Sequence, residues 1–440
     1  MKPSNSPEAF ETKVGFFETE SRMLARTLRS NKLKGTMVVR PSANLSDDLP
    51  LSAKFNASAC VNSLFSSSEQ KLKTINAVEV FCGAGGLASG MRAAAANLGL
   101  RLNIQAAVDV SRTAELIYRR NIRPRKFYRE NLETLCKYSF RHGDQDNLPD
   151  LSSASLFPAI AELRDTVDVF FGGPPCEGNS NFNNQSRRSD PRNELYISST
   201  VIGILLDAKA IVFENVPQVS ASKQKVVARA RILLEENGYK VSEENLVLDA
   251  SDFGGAQTRR RHFLIAIKSP LIERGLCIDD FSGLRQHQNS AGIVLRSLFA
   301  ANQCPKFDTP SKLSAENHRR VQYLHTHNLY DLPDEERPAC HRDKAHSYSA
   351  VYGRIHPERP VPTLTTGFLS PGRGRYTHPF EARGLTLREG AALQGFPSDY
   401  NWLTGSDAIS RGGYATSIGD AVPGQLGFAI GAAIYPYLVA

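Results

Sequence analysis

The sequence predicts an α/β fold, with a parallel sheet covered by helices on both faces. From residue 74 to about residue 268, short apolar runs alternate with helical patterns. The apolar runs are nearly continuous, which is typical of strands that are buried on both faces. Two of the runs end in glycine-rich turns, as strands of such sheets do where they pass into helices or loops.

The elements of this sheet follow one another in a regular order. The first strand, at 75–81, ends in a glycine turn and is followed by a helix over 85–98. The remaining predicted elements are strand 104–110, helix 112–120, strand 167–173, helix 195–208, strand 210–216, helix 223–237, and strands 244–250 and 262–267.

Changes in composition and hydrophobic patterning divide the chain into four parts. A polar N-terminal extension over 1–72 precedes the sheet region over 73–268. Residues 269–346 are irregular and rich in His, Arg, Asn and Gln, which indicates a smaller second domain. Regular patterning returns over 347–440, which we expect to rejoin the sheet region.

Two segments allow more than one interpretation. Residues 21–40 hold six basic residues and no acidic one. A solvated helix face is favoured there over an arm that contacts phosphates. Residues 421–440 carry no charge, and we interpret them as a buried helix docked on a sheet rather than as a membrane anchor.

Composition excludes several classes of protein. Of the 440 residues, 41% are hydrophobic and 22% charged, which rules out disorder throughout and a collagen-like chain. Seven cysteines are too few for a disulfide scaffold. The first ten residues lack the apolar core of a signal peptide, so a reducing cytoplasmic location is expected. The net charge of +8 only suggests a polyanionic partner.

The first candidate site is the turn Phe81-Cys82-Gly83-Ala84-Gly85-Gly86, between a strand and a helix. Glycines there allow a ligand to approach the backbone, and the helix N-terminus offers free N–H groups. Asp109 ends the next strand, where a carboxylate can bind ribose hydroxyls. The pattern indicates a nucleoside-containing cofactor; the alternative is a tight turn without a ligand.

The second candidate is Cys176, which follows Gly172-Gly173-Pro174-Pro175 at the end of a strand. A lone cysteine is usually a small buried apolar residue. Two prolines stiffen this turn at the edge where ligands bind in α/β sheets, which favours an exposed, reactive thiol. A thiol of ordinary pKa needs activation by its surroundings.

The third candidate is Glu214, which lies 38 residues after Cys176 at the end of the next predicted strand. One strand–helix–strand step brings both side chains to the same edge of a parallel sheet. A carboxyl group at such a place can have a raised pKa and act as an acid. The alternative is a surface glutamate that caps the next segment.

Two further segments are rich in arginine. In Gln257-Thr258-Arg259-Arg260-Arg261, strand geometry directs residues 257, 259 and 261 to one face, where the guanidinium groups suit a phosphate or a base edge. Residues 177–193 are polar and indicate a lid or substrate-contacting loop, with arginines at Arg187, Arg188 and Arg192.

Together these motifs resemble the DNA (cytosine-5) methyltransferase family. FCGAGG, PPC, ENV, QTRRR and the late GDAVPGQLGFAI stand in that family's order, and PTLTT and LTLREGAALQGFP are similar to its C-terminal segments. The resemblance covers residues 78–267 and 350–440. It implies a Rossmann-like methyltransferase sheet with a smaller, irregular target-recognition domain at 269–346.

The resemblance implies S-adenosylmethionine as the cofactor. Asp109 would bind its ribose and Val110 would lie beside its adenine, while Asn131 stands where the family usually has an acidic adenine contact. The full set of implied cofactor residues is Phe81, Cys82, Gly83, Gly85, Gly86, Asp109, Val110, Asn131, Pro174, Asp420 and Ala421.

The resemblance also implies a mechanism. Cys176 would attack carbon 6 of a flipped-out cytosine, Glu214 would protonate ring nitrogen 3, and carbon 5 would take the methyl group. Arg259 and Arg261 would hold the target nucleotide. The implied substrate contacts are Ser180, Arg187, Arg188, Arg192 and Gln257. The chain departs from the family pattern at Glu177, Asn179 and Asp420, and a negative charge at 177 disfavours the thiolate.

The implied partner is double-stranded DNA, bound by a monomeric, nucleoid-associated enzyme. It would act either alone or paired with a cognate restriction endonuclease. Two alternatives stay open: a tRNA cytosine-5 methyltransferase, and a non-catalytic DNA-binding protein on the same fold. No metal is assigned, because Cys304, Cys340, His341 and His346 lack the paired C-x-x-C spacing of zinc sites.

Overall fold

The computed structural model describes residues 11–42, 45–59, 65–66, 73–144, 146–175, 191–298, 304–342, 351–397, 399–402 and 409–439. Everything said below about the structure refers to these residues.

The N-terminal part of the chain forms an antiparallel sheet and one helix. The interpretation of 21–40 as a solvated helix face was wrong, because this segment forms two strands joined by a tight turn at Ser30–Leu33. Its apolar residues, such as Leu24 and Val39, are paired across the two strands and buried. The elements are β1 (Lys13–Glu18), β2 (Leu24–Arg29), β3 (Lys34–Val39), α1 (Leu51–Ala59) and β4 (Phe65–Ser66), with the strands in the order β1-β2-β3-β4.

A second, larger sheet forms the centre of the molecule and confirms the predicted α/β class. Its strands stand in the order β12-β14-β11-β10-β5-β6-β7, with β13 also paired to β14. The strands are β5 (Lys73–Val80), β6 (Leu100–Val108), β7 (Lys126–Tyr128), β10 (Val169–Gly172), β11 (Ala210–Asn215), β12 (Tyr239–Val241), β13 (Val247–Asp249) and β14 (Arg260–Lys268). A separate hairpin joins β8 (Cys136–Phe140) and β9 (Pro149–Leu156).

The prediction of a wholly parallel sheet was wrong at one end. The five strands from β11 to β7 are parallel, whereas β14 runs antiparallel to β11, β12 and β13. The reason is the connection: β12 and β13 return to the sheet through short turns, and between β13 and β14 lies a short 3-10 turn, Ala250–Asp252, but no α-helix to carry the chain back.

Helices cover both faces of this sheet, as predicted. Neighbouring strand residues such as Phe170 and Phe171 belong to two different buried clusters, one on each face. One face is covered mainly by α2 (Gly86–Asn97) and α3 (Arg112–Asn121), with α12 (Gly424–Leu438) packed against α2, and the other mainly by α5 (Glu194–Leu205) and α6 (Val226–Glu236). The short helix α4 (Pro158–Ala161) leads into β10.

The region predicted as a second domain begins inside the body of the protein. Phe281, Val294 and Phe307 belong to the same buried cluster as the central sheet. The more peripheral α9 buries only part of its surface, through Val321 and Leu324. The helices here are α7 (Ala291–Ser297), α8 (Pro305–Asp308) and α9 (Ala315–Thr326), and those of the C-terminal part are α10 (Leu387–Leu393) and α11 (Arg411–Asp420).

The uncharged C-terminal segment forms the predicted buried helix, α12. It packs mainly on another helix, α2, rather than on the sheet. A Cβ added to Gly90 would lie 2.0 Å from the Gly424 carbonyl oxygen, so the two backbones approach as closely as glycine allows. Of the helices that the structure describes, none has the length and apolarity needed to cross a membrane.

Candidate active site at the carboxyl edge of the sheet

Three of the predicted motifs meet at one edge of the central sheet. In the register of the sheet, Gly172 pairs with Val80 on one side and with Phe213 on the other. The turns that follow β5, β10 and β11 therefore emerge side by side at the carboxyl ends of three parallel strands. Ligands of α/β sheets bind at such an edge. Cys176, Ser180, Arg187 and Arg188 lie outside the described residues.

Glu214 is the buried acid of this edge. Its side chain is 10% exposed, and its Oε1 lies 2.7 Å from Arg261 Nε. A Cβ added to Gly173 would lie 3.0 Å from Glu214 Oε2, so the carboxylate touches the backbone of the Gly-Gly-Pro-Pro turn. Burial raises the pKa of the Glu214 carboxyl, and the charges of Arg261 and Arg259 oppose this rise without cancelling it. Glu214 is thus a candidate proton donor beside the turn that carries Cys176.

Asn215 ties the two motifs together, a role that the sequence analysis missed. Its Nδ2 donates a hydrogen bond of 3.0 Å to the Pro174 carbonyl oxygen. Its Oδ1 accepts a bond of 2.9 Å from the Val216 N–H, which fixes the orientation of the side-chain amide. Pro174, predicted as a cofactor residue, is buried at this junction. Asn215 stands next to Glu214 in a polar pair after an apolar strand, and that signal could have identified it.

Arg259 lies beside the acid but is held by the backbone. Its Nη1 donates to the Leu364 carbonyl oxygen at 2.8 Å, and its own N–H donates to Asp249 Oδ1 at 3.1 Å. Burial lowers the pKa of Arg259 to about 9, because a charge in this environment loses hydration. The negative charge of Glu214 raises the pKa of Arg259, so the two groups are close enough to interact electrostatically.

Gln257 and Arg192 occupy different surroundings. Gln257 is 1% exposed; its Nε2 donates to Gln394 Oε1 at 2.6 Å and its Oε1 accepts from the Leu364 N–H at 2.7 Å. Gln257 thus joins the end of α10 to the segment beside Arg259. Its role as a substrate contact stays a prediction. Arg192 lies exposed in the turn directly before α5.

The glycine turn after β5 forms a cradle with an open side. Gly83 has a φ of +50°, and a Cβ added there would meet nothing within 4 Å. Its N–H donates to Asp109 Oδ2 at 2.9 Å, while the Ser111 N–H donates to Asp109 Oδ1 at 2.8 Å. Burial raises the pKa of Asp109. Val110 is 68% exposed beside it, an unusual exposure for an apolar residue at the edge of a buried sheet.

A buried network below this cradle was also missed. Glu79 is 1% exposed and accepts a hydrogen bond from the Tyr118 hydroxyl. Burial raises the pKa of Glu79, and that of the neighbouring Cys82 thiol, well above their usual values. Cys82 is therefore a neutral packing residue under the turn. The Tyr400 hydroxyl donates to the Ala84 carbonyl oxygen from the opposite side.

The remaining predicted cofactor residues surround the same turn. Phe81 is half-buried with a φ of +51°, and Gly85, with a φ of +78°, caps α2. A Cβ added to Gly86 would lie 2.2 Å from the Val422 carbonyl oxygen, so the segment with Asp420 and Ala421 touches the start of α2.

Two of these residues also have defined protein partners. The Ala421 carbonyl oxygen accepts a hydrogen bond from Gln394, and the charge of Asp420 acts on Arg259. Asn131 is exposed, and its Oδ1 accepts a bond of 3.4 Å from the Glu133 N–H, so it caps the turn Leu132–Leu135.

The model of the C-5 cytosine-specific DNA methylase family matches residues 75–436. The chain belongs to this family. The predicted family is therefore confirmed, and with it the class of enzyme, DNA cytosine-5 methyltransferase. The N-terminal sheet of this methylase, β1 to β4, lies before the matched residues.

Curated relatives are similar over most of their length. The type II methyltransferase M1.BsuMI of Bacillus subtilis is 34% identical over 365 residues, which are 82% of this chain and 81% of that protein. The type II methylase M.HgiDII of Herpetosiphon aurantiacus is 27% identical, over 82% of this chain and 95% of that protein.

Solved structures share the fold at low sequence identity. A DNA modification methyltransferase encoded within an E. coli prophage matches with a TM-score of 0.56 and 19% identity, over 83% of this chain and all of that one. The S. pombe Dnmt2 methyltransferase matches with a TM-score of 0.50 and 16% identity, over 82% and 99% of the two chains. The methylase thus has the sheet expected of its family.

Proposed function

We propose that this methylase transfers a methyl group from S-adenosylmethionine to carbon 5 of a cytosine within a specific sequence of double-stranded DNA. The observation that carries the proposal is the contact between Glu214 and the backbone of Gly173, three residues before Cys176. The acid therefore lies beside the strand end from which the chain continues to the candidate nucleophile, as action of both groups on one planar ring would require.

The open cradle at Gly83 suits the cofactor. Asp109 has two carboxylate oxygens, each with one N–H donor, which leaves lone pairs for ribose hydroxyls. Exposed Val110 offers an apolar surface for a base. Phe81, Pro174 and the 420–421 segment would complete the site, with Asn131 at its outer side. The bound cofactor supplies a methyl group on a positively charged sulfur, and the protein positions carbon 5 against it.

The residues of the edge would act in sequence on the cytosine ring. The Cys176 thiolate adds to carbon 6 while Glu214 gives a proton to ring nitrogen 3, which makes carbon 5 nucleophilic. Carbon 5 would bond to the methyl group as the methyl–sulfur bond of the cofactor breaks, which would leave the cofactor as a neutral thioether. The carbon 5 proton would then pass to water, the bond between Cys176 and carbon 6 would break to re-form the thiolate, and the proton on nitrogen 3 would return to Glu214. Arg261 holds Glu214 in place through their ion pair.

A base inside a duplex is out of reach of this edge, so the cytosine must rotate out of the helix. Extrusion costs a few kcal/mol of stacking and pairing energy. Residues 177–193 would close over the gap with Ser180, Arg187, Arg188 and Arg192 as contacts. Residues 269–346 would read the base edges in the major groove, since phosphate contacts alone carry no sequence information.

The names of the relatives extend the proposal to partners. M1.BsuMI and M.HgiDII are called type II enzymes, so a restriction endonuclease of the same specificity is a proposed partner. We propose that one subunit suffices and that the enzyme works on DNA in the cytoplasm, associated with the nucleoid.

One assay separates this function from its alternatives. Purified protein with tritiated S-adenosylmethionine is expected to label plasmid DNA and not total tRNA. Labelled tRNA alone would indicate a tRNA methyltransferase, and no label in either would indicate a non-catalytic protein. Bisulfite sequencing of DNA from an expressing host is then expected to show protected cytosines in one sequence context.

A further inference from the structure

A cavity of about 350 Å³ lies where the N-terminal sheet meets helices α2 and α12. Small-molecule sites have volumes of about 300–1,000 Å³, so the cavity is large enough for a small ligand. We call it the Arg26 cavity; its wall includes Arg26, Asn56, Phe253, Phe396, Gln425 and Phe428. None of the described cofactor or catalytic candidates lines it.

Arg26 is a buried cation without a carboxylate partner. It is 7% exposed, and its Nε donates to Asn97 Oδ1 at 2.8 Å. Its guanidinium carbon lies 4.1 Å from the ring centre of Phe428 and 4.9 Å from that of Phe55. Among the described residues, its two terminal nitrogens have no hydrogen-bond acceptor. Buried guanidinium groups normally have such acceptors, so this side chain has capacity for an external anion.

The start of α12 adds a second source of positive potential. Gly424 and Gln425, the first two residues of this 15-residue helix, line the cavity. The Leu426 and Gly427 N–H groups donate to the Pro423 carbonyl oxygen, and the helix dipole is positive at this end. Arg26 stacks on Phe428, one turn further along the same helix. Two independent features of the wall therefore favour negative charge.

A basic depression of about 600 Å³ adjoins the cavity and shares two lining residues with it. Arg92 and Asp399 line both spaces, and Arg120 and Arg123 line the outer one. Asp399 is the one carboxylate among the described lining residues, against the four arginines including Arg26. A concave surface of one predominant charge attracts ligands of the opposite charge. The approach to Arg26 is thus favourable for anions.

We propose that the Arg26 cavity binds a nucleotide, with its phosphate on Arg26 and its base between the aromatic walls. Guanidinium groups bind phosphate with paired, charge-assisted hydrogen bonds. Flat rings pack well on Phe253 and Phe396, and the amide of Gln425 suits the polar edge of a base, whereas Asn56 Nδ2 already donates to Gln286 Oε1 at 2.9 Å. The nucleotide is either free or part of a nucleic-acid strand whose backbone follows the basic depression. The site depends on residues before position 75, where the family match begins.

The test is calorimetric titration of the full-length protein, with S-adenosylhomocysteine present in excess to fill the cofactor site. The probes are adenosine 5′-monophosphate, adenosine, inorganic phosphate and a single-stranded oligodeoxynucleotide. The monophosphate is expected to bind at least about tenfold more tightly than adenosine or phosphate alone, because a charge-assisted contact and ring packing add. If the oligonucleotide binds and the monophosphate displaces it, the natural ligand is a nucleic-acid strand. If the oligonucleotide does not bind there, the ligand is a free nucleotide.

Two variants locate the site. Arg26→Met is expected to weaken binding of the monophosphate at least about tenfold. Ala93→Leu adds a larger side chain to the cavity wall from α2, keeps Arg26 and is expected to have a similar effect, so the test remains possible if Arg26→Met unfolds. Arg29→Met removes an exposed charge from the same strand and should bind like the parent. The proposal is overturned if the parent binds no nucleotide probe, or if Ala93→Leu binds as well as the parent.

Discussion

Two buried arginines show how differently this protein stabilises a charge in its interior. Burial lowers the pKa of both Arg26 and Arg259 to about 9, so both stay charged at neutral pH. Arg259 lies among acids and carbonyl groups at the carboxyl edge of the sheet, near Glu214 and the Leu364 carbonyl. Arg26 has aromatic rings and one amide oxygen on the far side of α2.

The cation Arg259 has acidic groups of the protein beside it, whereas, in the described part of the chain, the cation Arg26 has none. At the candidate active site, the protein supplies both signs of charge, which fixes the position of Glu214 and limits the rise of its pKa. At the Arg26 cavity, it supplies mainly one sign. Uncompensated buried charge costs free energy, and binding of an opposite charge recovers part of that cost. Substitutions at the edge should therefore affect chemistry, and those in the cavity should affect ligand affinity.

The largest effect is expected for Cys176→Ala. Without the sulfur, no bond to carbon 6 forms, and methyl transfer should fall by at least about 10⁴-fold. DNA affinity should change little, because phosphate contacts provide most of it. Methyl transfer and gel-shift assays on the same duplex measure both, with Cys136→Ala, at a buried cysteine of the hairpin of β8 and β9, as the control. Full activity of Cys176→Ala would exclude the covalent mechanism.

Glu214→Gln should have the next largest effect. An amide keeps the shape of the side chain but cannot give up a proton, so kcat should fall by about 10²–10⁴-fold. The raised pKa of Glu214 also predicts that the parent loses activity as the pH rises through this raised pKa and the carboxyl ionises. The kcat–pH profile measures this. Glu236→Gln, in an exposed ion pair with Arg141, should behave like the parent; equal kcat for both variants would refute the role of Glu214.

Arg261→Met tests charge compensation at the edge through stability. Because folding raises the pKa of Glu214, its contribution to stability is present at low pH and is lost as the pH rises through the folded-state pKa. Loss of Arg261 raises that pKa further, so the variant should lose about 3 kcal/mol near pH 8 and less near pH 5.

Urea unfolding at the two pH values measures the difference. Arg260→Met removes the neighbouring exposed charge and serves as the control. A loss of the same size at both pH values would mean that Arg261 acts through packing alone.

Gly90→Ala is expected to have the smallest of these effects, and it probes the contact between helices α2 and α12. The added Cβ would lie 2.0 Å from the Gly424 carbonyl oxygen, so α12 must shift, at a cost of about 1–3 kcal/mol. Gly15→Ala, where nothing lies within 4 Å, is the matched control. Thermal unfolding of both variants decides the matter, and equal midpoints would show that the contact between α2 and α12 adapts freely.

The sequence was most informative where local patterns determine structure. Continuous apolar runs predicted the strands that carry Gly172 and Glu214, and the motif order predicted that they meet. It was least informative where contacts are distant in sequence. Arg26 and Asn97 are 71 residues apart, and Tyr400 and Ala84 are 316 apart, so no local pattern relates them. The reversed direction of β14 was likewise hidden, because an apolar strand has the same composition in either direction.

The covalent bond between Cys176 and the cytosine is tested most directly by trapping it on duplex DNA that carries 5-fluorocytosine at the methylated position. After methyl transfer, carbon 5 has no proton to lose, so the bond between Cys176 and carbon 6 should persist. We expect a protein–DNA adduct that survives denaturing electrophoresis and requires S-adenosylmethionine, with Cys176 as the modified residue by mass spectrometry. An active enzyme that forms no adduct, or one joined through another residue, would contradict the account.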